Sequence, residues 1–557
     1  MTEAVTASVT EPLPTERAAL LARLAEPRAW DIAVVGGGAS GLGVALDAAA
    51  RGLSVVLLES HDFAKGTSSR ATKLLHGGVR YLAQGNLSLV REALHERATI
   101  LRNAPHLSQP LAFVMPAYRW WEAPFYGLGL KAYDRLAGDA GLGATEWLGA
   151  AGVRAALPNV RTEGLRGGVR YWDAQFDDAR LALALARTAA AQGALLVNHC
   201  AVTAVLHDAG RVSGLTCEDR ESGASFRVQA RCVINATGVW VDELRQREPG
   251  AAAVRPLVAP SQGVHLVVDA DFLPGQQALL VPRTRDGRVL FAVPWLGKVI
   301  LGTTDTPRAD TVREPQPFAD EVDFILREAA DVLARAPRAA DVRSCWVGLR
   351  PLVRPEAAGE GGAGSAGGGT AGISREHLVQ VSPGGLVTVT GGKWTTYRSM
   401  ARDVLRRCAA EGLIATGARG IDEVTANLPL VGATTGQAPQ LQGGWAAYGS
   451  EGDRAQALPG ADAWLADGLS EAMVRFAARH EYARTVEDVL ARRSRLLFLD
   501  AAAAARAAPA VARVLAEETG RDPQAQAFTA LAQAWAGAEA RPVAPAAAPA
   551  AARPAGL

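Results

Sequence analysis

The chain has 557 residues, 49% hydrophobic and 21% charged, ordinary proportions for a globular protein with a sizeable core. Its formal net charge is +1, so no global field draws nucleic acid or an acidic partner, and any preference for anions must be built locally. The five cysteines (Cys200, Cys217, Cys232, Cys345 and Cys408) contain no CxxC pair. That argues against a zinc site or a disulfide framework and fits a reducing, cytoplasmic compartment.

Residues 1–28 carry Glu3, Glu11 and Glu16 and no sustained apolar core, and read as a flexible leader rather than a signal peptide. From Asp31 the pattern becomes strand, glycine turn, helix, strand: "DIAVV", "ASGLGVALDAAARG", "SVVLLE". The turn holds Gly36-x-Gly38-x-x-Gly41, where missing side chains let backbone amides approach a pyrophosphate at a helix N-terminus. Glu59 ends the second strand, placed to accept hydrogen bonds from a ribose diol. Gly36, Gly37, Gly38, Gly41 and Glu59 are therefore dinucleotide candidates. Val90, Leu94, Ala98 and Leu101 recur at helical spacing and predict a helix over 87–102, limited by Pro105.

"YRWWEAPFYGLGLKAYDRLAG" (118–138) holds six aromatics in 21 residues, flanked by Arg119, Lys131 and Arg135. Such a mixture suits either the headgroup layer of a membrane or the filling of a core. Residues 176–250 return to an α/β pattern, in which "VINATGVWVD" runs a strand into Gly238. With one credible phosphate loop near the N-terminus, this favours FAD over NAD.

Between 256 and 305, "HLVVD", "ALLVP", "RVLFAVP" and "KVILGTTD" are short β-rich runs turned at Asp286-Gly287 and Leu296-Gly297, as an inserted antiparallel sheet would be. A second glycine match, Gly362-x-Gly364-x-x-Gly367, lacks a flanking strand and helix and reads as linker within a Gly-rich insertion, 356–372. "LVQVSPGGLVTVTGGKWTTYRSMARDVLRRC" then gives a hairpin, a glycine pair and a helix. From about 421 the chain reads as helical, and 537–557 as a disordered Ala/Pro tail. No stretch reaches the ~18–20 apolar residues needed to span a bilayer, so the chain is expected to lie on a membrane at most.

Taken with "TSSRATKLLHGGVRYL" (67–82), "YWDAQFDDARL", "LGTTD", "GLRPLV" and "GGKWTTYR", these blocks resemble the FAD-dependent, quinone-linked glycerol-3-phosphate dehydrogenase family, in the same order from about residue 30 to 410. The resemblance implies an α/β fold. Its parts are a glutathione-reductase-like FAD-binding Rossmann domain (29–110, 176–250, 375–420), an inserted antiparallel substrate domain like that of D-amino-acid oxidase (111–175, 251–374), and a helical C-terminal domain (421–536). It also implies oxidation of sn-glycerol 3-phosphate to dihydroxyacetone phosphate through FAD. Electrons would pass to a membrane quinone, from a peripheral position on the inner face of the cytoplasmic membrane. The expected partners are glycerol 3-phosphate, quinone, the bilayer and, as an option, a second copy in a homodimer; no nucleic acid is expected. An oxidase using O2, an amine or amino-acid oxidase of the same fold, and a non-catalytic flavoprotein remain open alternatives.

The 67–82 block supplies donors and little bulk. Thr67, Ser68 and Ser69 are expected to donate to the cofactor, Lys73 to add positive charge, and Leu75 and His76 to pack on FAD. Gly77 would let the backbone pass the isoalloxazine, and Arg80 would project in front of the ring. Arg350 sits between apolar residues and needs an anion, either a carboxylate of the fold or the substrate phosphate. The resemblance adds Arg375 to the phosphate pocket. Lys393, at a helix start with Thr395 close by, suits the flavin's anionic side and the substrate. Oxidation also needs a base, and His265 is the first choice. Thr303, Thr304 and Asp305 read as mainly structural.

Overall fold

The computed structural model describes residues 15–78, 86–248, 255–354, 376–415, 423–434 and 436–537. Strand Ala29–Val35 is buried throughout Ile32–Val35 because it is central: it pairs in parallel with Val55–Leu58 on one side and Ser225–Asn235 on the other. A strand covered on both faces needs a continuous apolar run, and "IAVV" and "VVLL" supply one. The sheet order is His377–Val381, Val387–Gly391, Ser225–Asn235, Ala29–Val35, Val55–Leu58, Leu195–Val197. The hairpin Cys200–Asp208/Arg211–Asp219 is attached through Ser225–Asn235. Helices Ala39–Ala50, Asp178–Ala191 and Tyr397–Ala410 join the same core, through residues such as Leu42, Leu46, Leu185 and Val404.

The second sheet has ten strands. Its main path runs Thr306–Pro307, Val258–Asp269, Lys298–Gly302, Leu290–Trp295, Ala278–Val281, Ser108–Ala117, Gly167–Phe176, Leu74–Leu75. Ser344–Val353 pairs along the length of Val258–Asp269. The turn at Leu296-Gly297 has φ of +46° and +80°, the left-handed pair that a two-residue hairpin demands. One pairing departs from the expected antiparallel sheet: Ala278–Val281 runs parallel to Ser108–Ala117, because these strands are joined through distant chain and not by a hairpin. The signature block contributes Leu74–Leu75 to this second sheet, so it crosses from the glycine-turn sheet to the other one. The predicted helix at 87–102 is present as Leu87–Asn103, with the Asn86 side chain accepting from Leu89 N–H at its start.

Helices Glu471–His480, Ala501–Thr519 and Ala525–Trp535 build a further core with Phe476, Val511, Phe528 and Trp535, which reaches Trp295 and Trp346 of the second sheet. Ion pairs tie this part to the first sheet: Arg492 and Arg493 close on Asp62 in a buried cluster, and half-buried Lys65 meets Glu487 at 2.5 Å. Asp62, His199 and Asp488 lie together here, but the two arginines and the His199–Asp488 bond at 3.0 Å already satisfy these carboxylates. Among the described residues no helix is long and apolar enough to cross a membrane.

Candidate active site

A cavity of about 690 Å³ lies where the two sheets meet, within the size range of small-molecule and cofactor sites. Its lining includes the glycine turn. Gly36 has φ +109°, and a Cβ there would lie 2.6 Å from the Ala236 carbonyl oxygen. A Cβ on Gly41 would run into the Gly36 carbonyl oxygen, so the first helix can begin this close only on a bare residue. The Ser68 hydroxyl accepts from Ala39 N–H at 2.9 Å at the helix start. Glu59 is fixed at one end of the cavity: Oε2 accepts from Gly37 N–H at 2.6 Å and Oε1 from His61 N–H at 2.8 Å.

The opposite end is built by the hairpin and helix after residue 376. Gly391 and Gly392 have φ of +80° and +74°, and Lys393 caps the turn Trp394–Thr396 that leads into Tyr397–Ala410. Trp394 Nε1 donates to Ser68 O at 2.8 Å, and His76 N–H donates to Thr395 Oγ1 at 3.3 Å, which joins this end to the signature block.

The second sheet supplies the facing wall. Arg350 Nη1 donates to Gln262 O at 3.1 Å and meets Asp305 at 3.3 Å; Nη2 donates to Thr303 Oγ1 at 3.1 Å and Thr304 O at 2.9 Å. Its guanidinium lies against Gly263, where a Cβ would collide with it. Thr303 to Asp305 thus hold an arginine at the cavity wall. His265 is stacked on Trp346 with ring centroids 4.1 Å apart, and its Nε2 shares a hydrogen bond with Thr72 Oγ1 at 2.9 Å. Burial, then the charges of Arg350 and Lys73, hold its pKa well below the ordinary histidine value, so the ring is neutral near pH 7.

Of the residues expected at the site, Gly36, Gly38, Glu59, Thr67, Ser68, His76, Gly238, His265, Arg350, Lys393 and Thr395 line this one cavity. Arg80 and Arg375 lie outside the described residues, as does the second glycine match.

Lys73 does not reach the cavity. Its fully buried amine donates to Ser69 O at 2.6 Å and Asp178 at 2.8 Å, beneath Trp346 and Phe498, and burial lowers its pKa to about 7 despite the Asp178 carboxylate. The backbone turns left-handed at this residue (φ +65°), and Asp178 offers the anion that the sequence reading assigned to the cofactor. Ser69 and Leu75 are likewise buried away from the cavity, and Gly77 N–H donates to the Tyr133 hydroxyl at 2.8 Å. Gly37 and Gly41 act from behind the wall, one bonding Glu59 and the other seating the helix.

Three contributors escaped the sequence reading. Thr72 sits inside the signature block unremarked, because its partner is 193 positions away. Trp240, within "GVWVD", donates from Nε1 to Thr311 O at 2.6 Å and carries the Arg313 guanidinium 4.0 Å from its ring centroid. Glu314 meets Arg70 at 2.7 Å and Lys65 at 3.2 Å, so the segment after Thr306–Pro307 straps across the Glu59 end.

The glycine cradle, the fixed carboxylate and the cavity between two sheets fit an adenine dinucleotide; this is an FAD-dependent oxidoreductase. A family model for FAD dependent oxidoreductases matches residues 31–398, and one for the C-terminal domain of alpha-glycerophosphate oxidase matches 463–526. The mitochondrial glycerol-3-phosphate dehydrogenase of Rattus norvegicus is 39% identical over 545 residues, covering 91% of this chain and 72% of its own. That of Arabidopsis thaliana is 39% identical over 559 residues, covering 92% and 86%. The glycerol-3-phosphate dehydrogenase of Bacillus halodurans, solved in complex with FAD, superposes with a TM-score of 0.72 at 27% identity, over 93% of this chain and 96% of that one. The chain belongs to the FAD-dependent glycerol-3-phosphate dehydrogenase family.

Proposed function

We propose that the cavity oxidises sn-glycerol 3-phosphate to dihydroxyacetone phosphate and that the electrons leave to a membrane quinone. The observation that carries this reading is the convergence of Arg350, neutral His265 and Lys393 on one cavity beside the dinucleotide cradle. Bound FAD supplies the hydride acceptor. Arg350 holds a fixed positive charge suited to a phosphate, braced by Asp305, the Thr303 hydroxyl and the Thr304 carbonyl, so little orientation is lost when the substrate arrives. Lys393 places a positive charge at a helix start, where negative charge grows during the reaction. His265 receives the proton from the substrate's C2 hydroxyl.

The membrane part of the reading rests on helix Glu122–Ala137 and its approach. Leu130 and Tyr133 point inward, and Tyr133 bonds Asp173. Trp120, Phe125 and Leu128 point outward at 77%, 67% and 72% exposure, and exposed Trp147 stands beside Lys131 at 4.1 Å. So much exposed aromatic and apolar surface on one face, with Arg119, Lys131 and Arg135 exposed around it, suits the headgroup layer on the cytoplasmic side.

Wild-type enzyme is expected to sediment with anionic vesicles and reduce quinone dissolved in them. A Trp120→Ser/Phe125→Ser/Leu128→Ser variant is expected to stay in the supernatant and lose that turnover, while keeping its turnover with a water-soluble quinone analogue and its thermal midpoint. Unchanged sedimentation, or loss of both turnovers with a lowered midpoint, contradicts the membrane assignment. Peroxide production with no quinone reduction contradicts the acceptor.

A further inference from the structure

We propose that Thr72 is a catalytic residue: its hydroxyl carries the proton from the substrate's C2 hydroxyl to His265, which does not touch the substrate itself. The inference deepens the proposed glycerol 3-phosphate oxidation and rests on that reading.

His265 is 3% exposed, and both ring nitrogens are accounted for. Nδ1 is buried and has no hydrogen-bond partner among the described residues. Nε2 is covered by Thr72 Oγ1 at 2.9 Å. One ring face lies on Trp346 and the ring edge lies against Gly302, where a Cβ would come within 2.7 Å of His265 Cδ2. The imidazole therefore cannot swing to present a nitrogen to the cavity without breaking the Thr72 bond and leaving its stack. Thr72 is the more exposed of the two, lines the cavity, and lies in the block that also brings Ser68 and His76 to it.

A hydroxyl is donor and acceptor at once, which is what a relay needs. In the step, the substrate O–H bond breaks and its proton passes to Thr72 Oγ1. Thr72 gives its own proton to Nε2, the C2–O bond gains its second component, and C2 loses its hydrogen as hydride to bound FAD. His265 ends protonated and Thr72 is regenerated. A single positioned proton-transfer group contributes ~10²–10⁴-fold, and two groups acting in series share one such contribution.

The test follows flavin reduction anaerobically in FAD-loaded wild type, Thr72→Val, Thr72→Ser, His265→Gln and the Thr72→Val/His265→Gln double variant. Each variant's affinity for dihydroxyacetone phosphate is measured alongside. The wild-type reduction rate is expected to show a solvent deuterium isotope effect. Thr72→Val is expected to be at least ~100-fold slower, while Thr72→Ser stays within ~10-fold of wild type. The double variant should be no slower than His265→Gln alone, and product affinity and FAD content should hold throughout.

If wild type is not reduced by glycerol 3-phosphate, the underlying function fails. If it is reduced but Thr72→Val matches its rate, or the two single losses multiply in the double variant, the relay is overturned. It is overturned equally if Thr72→Val loses product affinity in proportion to its rate.

Discussion

Gly41→Ala is expected to weaken FAD binding by roughly 10- to 100-fold, since a forced overpacking costs about 1–3 kcal/mol and each 1.4 kcal/mol is tenfold in affinity. The added methyl has nowhere to go. It points at the Gly36 carbonyl oxygen, with the Ala236 side chain also close, and these are backbone and short-chain neighbours that cannot rotate away. Gly36 cannot yield either, because its φ of +109° and the Ala236 carbonyl fix it. The helix Ala39–Ala50 must therefore back off, taking its N-terminal amides away from the cavity. Titrating apoprotein with FAD and following the quenching of flavin fluorescence measures the loss. Gly152→Ala, in helix Ala150–Ala156 with no atom closer than 3.5 Å to the new Cβ, is the control and should bind as wild type does.

The second large effect is structural. Asp178→Asn is expected to destabilise the protein by about 3–5 kcal/mol, the usual cost of stranding a buried charge. Asp178 is fully buried and holds two cations, Lys73 at 2.8 Å and Arg495 at 2.9 Å. Lys73 comes from the signature block, Asp178 begins the helix Asp178–Ala191, and Arg495 belongs to the C-terminal part, so one carboxylate joins three stretches of chain. Asparagine keeps the size and loses the charge. The urea midpoint of the FAD-loaded enzyme should fall, and adding Lys73→Met should restore part of it by removing one stranded cation. An unchanged midpoint in Asp178→Asn would mean that this triad does not hold the parts together.

What could be read from the sequence was whatever physics writes locally. A pyrophosphate turn demands glycines at fixed spacing next to a strand and a helix, and the Gly36–Gly41 unit with Glu59 obeys. Hairpin turns demand left-handed residues, and Leu296-Gly297 marks its own position. The fate of Lys73 was not legible, because a lysine among donors looks the same whether it faces a phosphate or a carboxylate. Asp178, 105 positions on, decides it. The same holds for the Thr72–His265 bond and for Arg350, whose brace comes from Gln262 on the neighbouring strand and from Thr303–Asp305, the link that follows strand Lys298–Gly302. The aromatic segment at 118–138 looked like a choice between core and membrane. As a helix it turns Tyr133 into the core and leaves Phe125 exposed on the opposite side.

Anaerobic mixing of the FAD-loaded enzyme with glycerol 3-phosphate tests the central claim most directly. The flavin's visible absorbance should bleach with glycerol 3-phosphate and persist with glycerol. In Arg350→Ala the concentration needed for half-bleaching should rise by at least ~10-fold, as expected for losing a charge-assisted contact of about 1.5–3 kcal/mol. Flavin that stays oxidised in the presence of glycerol 3-phosphate, or bleaches as readily with glycerol, would contradict a cavity built for a phosphorylated alcohol.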